Sequence, residues 1–168
     1  GRVEVQDIGG KKYATGAYET CGASGLTGVW AEENTREAIY GAFRRKETFA
    51  TSGPRMKVRL FAGYDLNDNN LNGAEQLQEA YSDGVAMGSE IQARNGDTPR
   101  LLAWAARDPD SAALQRLQIV KGWSVNGESF EKVYDVACSD GGSVDPETHR
   151  CPDNGATVDL GSCAISPD

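Results

Sequence analysis

The sequence predicts an α+β protein: a mainly antiparallel β-sheet or sandwich, one helix near the N-terminus, and a loop-rich, disulfide-stapled tail. Three observations predict it. Residues 34–47 combine a capping-box pattern with an apolar stripe at helical spacing. Residues 55–137 hold four strand-like runs separated by turn chemistry. Three of the four cysteines lie beyond residue 137, in sequence too polar to bury a core of its own. The expected organisation is a loop-rich segment and helix over 1–54, a β-rich domain over 55–137 and a cysteine-containing coil over 138–168.

Glycines crowd residues 1–28, so irregular backbone is expected there, with one edge strand at Val3-Glu4-Val5. The helix spans Asn34–Glu47, with Asn34 as N-cap and Glu37 reaching back to it; Ile39, Ala42 and Phe43 face inward. Arg44, Arg45 and Lys46 complement the dipole at its C-terminus. Arg55–Ala62 alternates, with Met56, Val58, Leu60 and Ala62 on one face and Lys57, Arg59 and Phe61 on the other. Residues 74–82 suit a short helix. Leu101–Ala106, Leu117–Trp123 and Phe130–Ala137 complete the strands of one mainly antiparallel assembly. Asn126-Gly127 is the signature of a tight hairpin between the last two.

The 168 residues carry a net charge of −8, which excludes a nucleic-acid partner, because such proteins need a basic face to displace counterions from phosphates. No apolar run approaches the ~20 residues that cross a bilayer. The first residues show no signal-peptide pattern, and both ends read as cut. The cysteines favour an oxidising compartment, and hence a periplasmic or secreted location. Cys138–Cys151 is the preferred pair, because it closes a loop whose crosslinking removes about 3 kcal/mol of unfolded-state entropy. Cys138–Cys163 is the alternative, leaving Cys151 to pair with Cys21 or stay free. A zinc knuckle of Cys138, His149, Cys151 and Cys163 lacks the closely spaced cysteine pairs of such sites.

Asp65, Asn67 and Asn69 place oxygen side chains at alternate positions, as in the first half of a calcium loop, and form a candidate metal site. Asn70 stands where glycine belongs, and Gln76 where a bidentate Glu belongs. Glu32 and Glu33 follow Trp30 at the helix entrance, where the dipole prefers acids. His149 is the only histidine, so a multinuclear metal centre cannot be assembled here, and no nucleophile elbow or phosphate loop appears. No catalytic residue emerges, and the chain itself calls for no cofactor beyond that calcium loop.

Several long phrases together carry a resemblance: Ser24-Gly25-Leu26-Thr27-Gly28-Val29-Trp30-Ala31-Glu32-Glu33-Asn34-Thr35-Arg36-Glu37-Ala38-Ile39, Arg45-Lys46-Glu47-Thr48-Phe49-Ala50-Thr51-Ser52-Gly53-Pro54-Arg55, Glu131-Lys132-Val133-Tyr134-Asp135-Val136-Ala137-Cys138 and Thr148-His149-Arg150-Cys151-Pro152-Asp153-Asn154-Gly155-Ala156. They resemble the C-terminal part of a large bacterial family known only as a domain of unknown function. Its full-length members look like PHP-type (polymerase and histidinol phosphatase) metal-dependent phosphoesterases. The resemblance implies that residues 1–54 end a PHP-type barrel and that the metal-binding His and Asp motifs lie upstream. The expected function is then the C-terminal, non-catalytic portion of a secreted or periplasmic metal-dependent hydrolase. Its divalent metal would sit in the parent protein, and its partner would be the missing upstream catalytic half. The alternative is a stand-alone extracellular binding or structural module. The Ile39/Ala42/Phe43 stripe discriminates them: uncovered in the first case, covered by residues 55–137 in the second.

Overall fold

A computed structural model describes residues 4–15, 25–67, 74–162 and 164–166. Among these residues the fold consists mostly of antiparallel sheets, with two short helices and one disulfide. The chain opens with a hairpin, β1 (Glu4–Ile8) and β2 (Lys11–Thr15), turning at Gly9-Gly10, where loop with a single strand is expected from composition. The carboxylate of Asp7 accepts the Gly10 N–H at 2.9 Å and closes that turn.

β3 (Thr27–Val29) pairs antiparallel with β4 (Thr48–Ala50), and the helix α1 (Arg36–Arg45) connects them. The N-cap is Thr35 and not Asn34. Thr35 has the extended backbone of a cap, and its hydroxyl accepts from the Ala38 N–H at 3.3 Å. The spacing rule allows either register; a hydroxyl one residue later wins because its backbone is the last to be extended. Glu37 still lies in the first turn, and Arg44 and Arg45 in the last, so the dipole is complemented as expected. Lys46 ends the helix in the left-handed conformation (φ 60°), its N–H donating to the carbonyls of Ala42 and Phe43.

β5 (Lys57–Gly63) is the centre of a three-stranded sheet. α2 (Ala74–Asp83) crosses it and leads into β6 (Val85–Ala86), which pairs along one edge; β7 (Arg100–Ala106) pairs along the other. The alternation of β5 is as expected, but the core lies on the face expected to be the more polar. Phe61 is fully buried, with Leu66, Ala80 and Leu102, and Leu77, Ala86 and Trp104 pack against them. The ring of Phe61 meets Tyr81 edge-on at 4.8 Å and Trp104 at 5.8 Å, geometries worth about 0.5–1.5 kcal/mol each beyond area burial. α2 can cover one face only, and the face with the large aromatic gains more by being covered. Met56 and Val58, on the opposite face, are left 36% and 37% exposed.

β8 (Arg116–Val125) and β9 (Glu128–Cys138) form the expected hairpin. Asn126 (φ 53°) and Gly127 (φ 87°) supply the two positive φ angles that a two-residue turn needs to match strand twist. Their ladder is a sheet of its own, with no hydrogen-bonded link to β5–β7, so the four expected strands are split between two sheets. Beyond Cys138 the tail is mostly irregular, with a two-residue pairing of β10 (Thr157–Val158) and β11 (Ile165–Ser166).

Phe61→Ala is expected to destabilise the chain by about 3–5 kcal/mol, the range for emptying an aromatic site in a packed core. Val58→Ala, on the uncovered face, is expected to cost less than about 1 kcal/mol. Urea unfolding of both variants checks this, and equal effects would contradict the placement of the core.

Candidate functional site

A buried polar cluster lies where the C-terminus of α1 meets β5 and α2. The left-handed Lys46 reverses the chain and drives Glu47 inward, where it is only 3% exposed. Both backbone groups of Glu47 are used: its N–H donates to Ala42 O at 3.1 Å, and its carbonyl accepts from Trp30 N at 3.0 Å. The reversal is packed beneath by Gly88 (φ 86°), where a Cβ would lie 2.4 Å from the Lys46 carbonyl oxygen, so only glycine fits.

A buried carboxylate must be hydrogen-bonded or paired. Glu47 Oε2 accepts from Arg45 Nε at 3.3 Å and Nη2 at 3.2 Å, and Oε1 accepts from the Tyr81 hydroxyl. Burial, reinforced by that hydrogen bond to an anion, pushes the Tyr81 phenol up to about 12. Beside them the guanidinium of Arg59 lies 3.8 Å from the centre of the Trp30 ring and 5.9 Å from that of Tyr81. Arg59 Nε is buried with no hydrogen-bond partner among the described residues. Trp30 is aimed by its indole N–H, which donates to Val58 O at 2.9 Å, and its ring lies 5.5 Å from Phe49. Glu32 and Glu33 are exposed and outside this cluster. No sequence pattern singled out Glu47, Tyr81 or Arg59, which lie 34 and 22 positions apart along the chain. The chain reversal at Lys46 places Glu47, and the packing of α2 on β5 brings Tyr81 and Arg59 to it.

A second cluster ties the tail to the hairpin. Cys138 and Cys151 are disulfide-bonded, with Cα atoms 5.6 Å apart, which realises the preferred pair and removes both from any zinc site. Cys138 is thereby unavailable to Cys163, which, like Cys21, lies outside the described residues. Beside the disulfide Asp135 is 3% exposed. Its Oδ2 accepts the Cys151 N–H at 2.7 Å, its Oδ1 accepts Gln118 Nε2 at 2.6 Å, and Arg150 Nη1 stands 3.6 Å away. The Cys151 N–H, then Gln118, hold the Asp135 carboxyl below the usual carboxylate range. The Asp135 N–H donates to His149 O at 2.9 Å, and the His149 ring packs against Tyr134 with centroids 5.1 Å apart.

Of the calcium-loop candidates, Asp65 Oδ2 accepts from both terminal nitrogens of Arg94 at 3.2 Å. The backbone carbonyl of Asn67 accepts from Gln76 Nε2 at 3.3 Å. Asn69 lies outside the described residues. Gln76 is 3% exposed, and its Oε1 has no hydrogen-bond partner among the described residues. Among the described residues no group of three or more His, Cys, Asp or Glu could hold a metal ion. No helix among them is long and apolar enough to cross a membrane.

The family model for a protein of unknown function, DUF3604, matches residues 2–168. The chain belongs to the DUF3604 family. No curated protein and no solved structure matches it. In this DUF3604 member the Glu47 cluster has its carboxylate oxygens occupied by Arg45 and Tyr81, so it acts as an anchor between α1, β5 and α2. The single histidine is packed on Tyr134, and the two described cysteines are oxidised.

Two consequences can be measured. Ultraviolet titration of the tyrosines should show one ionising last, near 12, and Glu47→Gln should bring that transition down toward 10. Because the folded pKa is raised, the stability that Tyr81 contributes is complete below pH 10 and is lost as the pH rises through about 12. Asp135 has the opposite sign: its lowered pKa stabilises the fold above the ordinary carboxylate range, and that contribution is lost as pH falls through the folded value. Asp135→Asn should therefore be less stable than the wild type near neutrality, with the difference closing in acid. Urea unfolding across that range reads it.

Proposed function

We propose that these residues form the C-terminal, non-catalytic portion of a secreted or periplasmic PHP-like metal-dependent hydrolase, most simply a phosphoesterase. The observation that carries this reading is Phe43, the one member of the expected Ile39/Ala42/Phe43 stripe that the chain leaves exposed. Ala42 is buried, but Phe43 is 49% exposed and Tyr40 beside it 62% exposed. Residues 55–137 leave that aromatic pair in water. Adjacent large apolar side chains left exposed are what an interface with further protein requires. In this reading α1 closes a barrel supplied by the upstream half, which also brings the His and Asp ligands and the divalent ion. The chain's own contribution is rigidity: the Glu47 cluster locks α1 to β5 and α2, so the packing face is held in place. The Cys138–Cys151 disulfide supports export to an oxidising compartment.

Intact mass and N-terminal sequencing of the natural protein test the first half of the proposal, with an upstream metal-binding half expected. Phe43→Ser tests the second. It should shift the unfolding of the isolated 168 residues by no more than about 0.5 kcal/mol, as at other exposed sites. In the longer natural protein it should cost about 1–3 kcal/mol by disturbing a buried contact. A natural polypeptide consisting of these residues alone would overturn the reading in favour of a stand-alone extracellular module.

A further inference from the structure

The face of the three-stranded sheet that α2 leaves uncovered is apolar. Register pairs Leu60 with Ala103 and Ala62 with Leu101, so these side chains share one surface, and Leu101 is 49% exposed. Opposite them the β8–β9 hairpin presents Leu117, Ile119 and Val136. Between the two sheets runs an open groove of about 820 Å³, within the ~300–1,000 Å³ typical of small-molecule sites.

The hairpin face that enters this groove continues beyond it as a ladder. Ile119 stands opposite Tyr134, Lys121 opposite Lys132, and Trp123 opposite Phe130, and alternate pairs along a hairpin share a face. The geometry agrees: the Trp123 and Phe130 rings stack at 5.7 Å, Lys121 Nζ lies 5.4 Å from the Trp123 ring, and Lys132 Nζ lies 5.1 Å from the Tyr134 ring. Two ammonium groups directly across a ladder repel one another. Neither is in an ion pair among the described residues. In a chain of net charge −8 this is a local concentration of uncompensated positive charge, and Lys121 also lines the groove.

We propose that the groove binds a free long-chain carboxylate, its hydrocarbon chain against Leu60, Leu101 and Ile119 and its head group between Lys121 and Lys132. The charge complementarity is specific to an anion placed at one end of an apolar recess. The head group relieves the lysine–lysine repulsion, and the chain covers apolar surface now in water. A bilayer fits less well, since a recess between two sheets admits a single chain, and the overall negative charge opposes an anionic membrane.

Isothermal titration calorimetry of the 168-residue chain with palmitate tests this, with circular dichroism confirming that each variant is folded. Saturable binding is expected, about tenfold or more weaker for hexadecanol and for Lys121→Gln/Lys132→Gln, the loss of one charge-assisted contact being worth that factor. Leu101→Asp should abolish it. The proposal is overturned by no saturable binding, or by equal affinity for palmitate and hexadecanol. It is equally overturned by binding only to phosphatidylglycerol vesicles, or by a concentration-dependent dimer that buries the groove and blocks palmitate. If the double lysine variant binds as the wild type does, the head-group assignment fails.

Discussion

Burial of the Phe61 ring organises the better-packed half of this chain. It lies at the middle of the central strand, so covering it demands a helix on that face of the sheet, and α2 supplies Ala80, Leu77 and Tyr81 for that purpose. The same ring orients Tyr81 edge-on, and Tyr81 in turn delivers its hydroxyl to Glu47. Glu47 closes the chain reversal after α1 and receives Arg45. A hydrophobic contact thus passes through one aromatic side chain into a buried polar network. That coupling matters because a buried carboxylate without its partners would cost several kcal/mol. The apolar packing holds the partners in place.

The other half is stabilised differently. Among the described residues no helix packs across the β8–β9 hairpin, and a two-stranded ribbon alone is marginal in water. Its support comes from the tail, which returns to lay His149 against Tyr134 and is pinned by the disulfide and by Asp135. Crosslinking and a fully hydrogen-bonded carboxylate stand in for the core that this polar sequence cannot build. The consequence for function is that the sheet surface facing the hairpin is left open as an apolar groove, while the covered side carries the rigid anchor beneath α1. Both the α1 aromatics and the groove therefore leave apolar side chains in water.

Local pattern was enough to place most elements. Asn126-Gly127 located the hairpin because a two-residue turn admits few other residues. Alternation located β5, and the i, i+3, i+4 stripe located α1 to within two residues at each end. The short polar excursion after a strand end favoured Cys138–Cys151, but Cys138–Cys163 stayed open until the structure joined the first pair. Membership in the family was legible in the long phrases around Trp30, Glu47 and Cys151.

What only the tertiary structure decided turns on competition between distant groups. Alternation says that β5 has two faces but not which one α2 will cover, and Phe61 settled that by its size. The N-cap register between Asn34 and Thr35 depended on where the extended backbone ended, which β3 and Trp30 constrain from outside the helix. The division of the strands into two sheets, and therefore the groove, arose from pairing partners that no local pattern encodes. Glu47, Tyr81 and Arg59 carry no motif, because the chemistry that joins them is the desolvation of a single carboxylate, and a residue becomes buried only when the whole chain has folded around it.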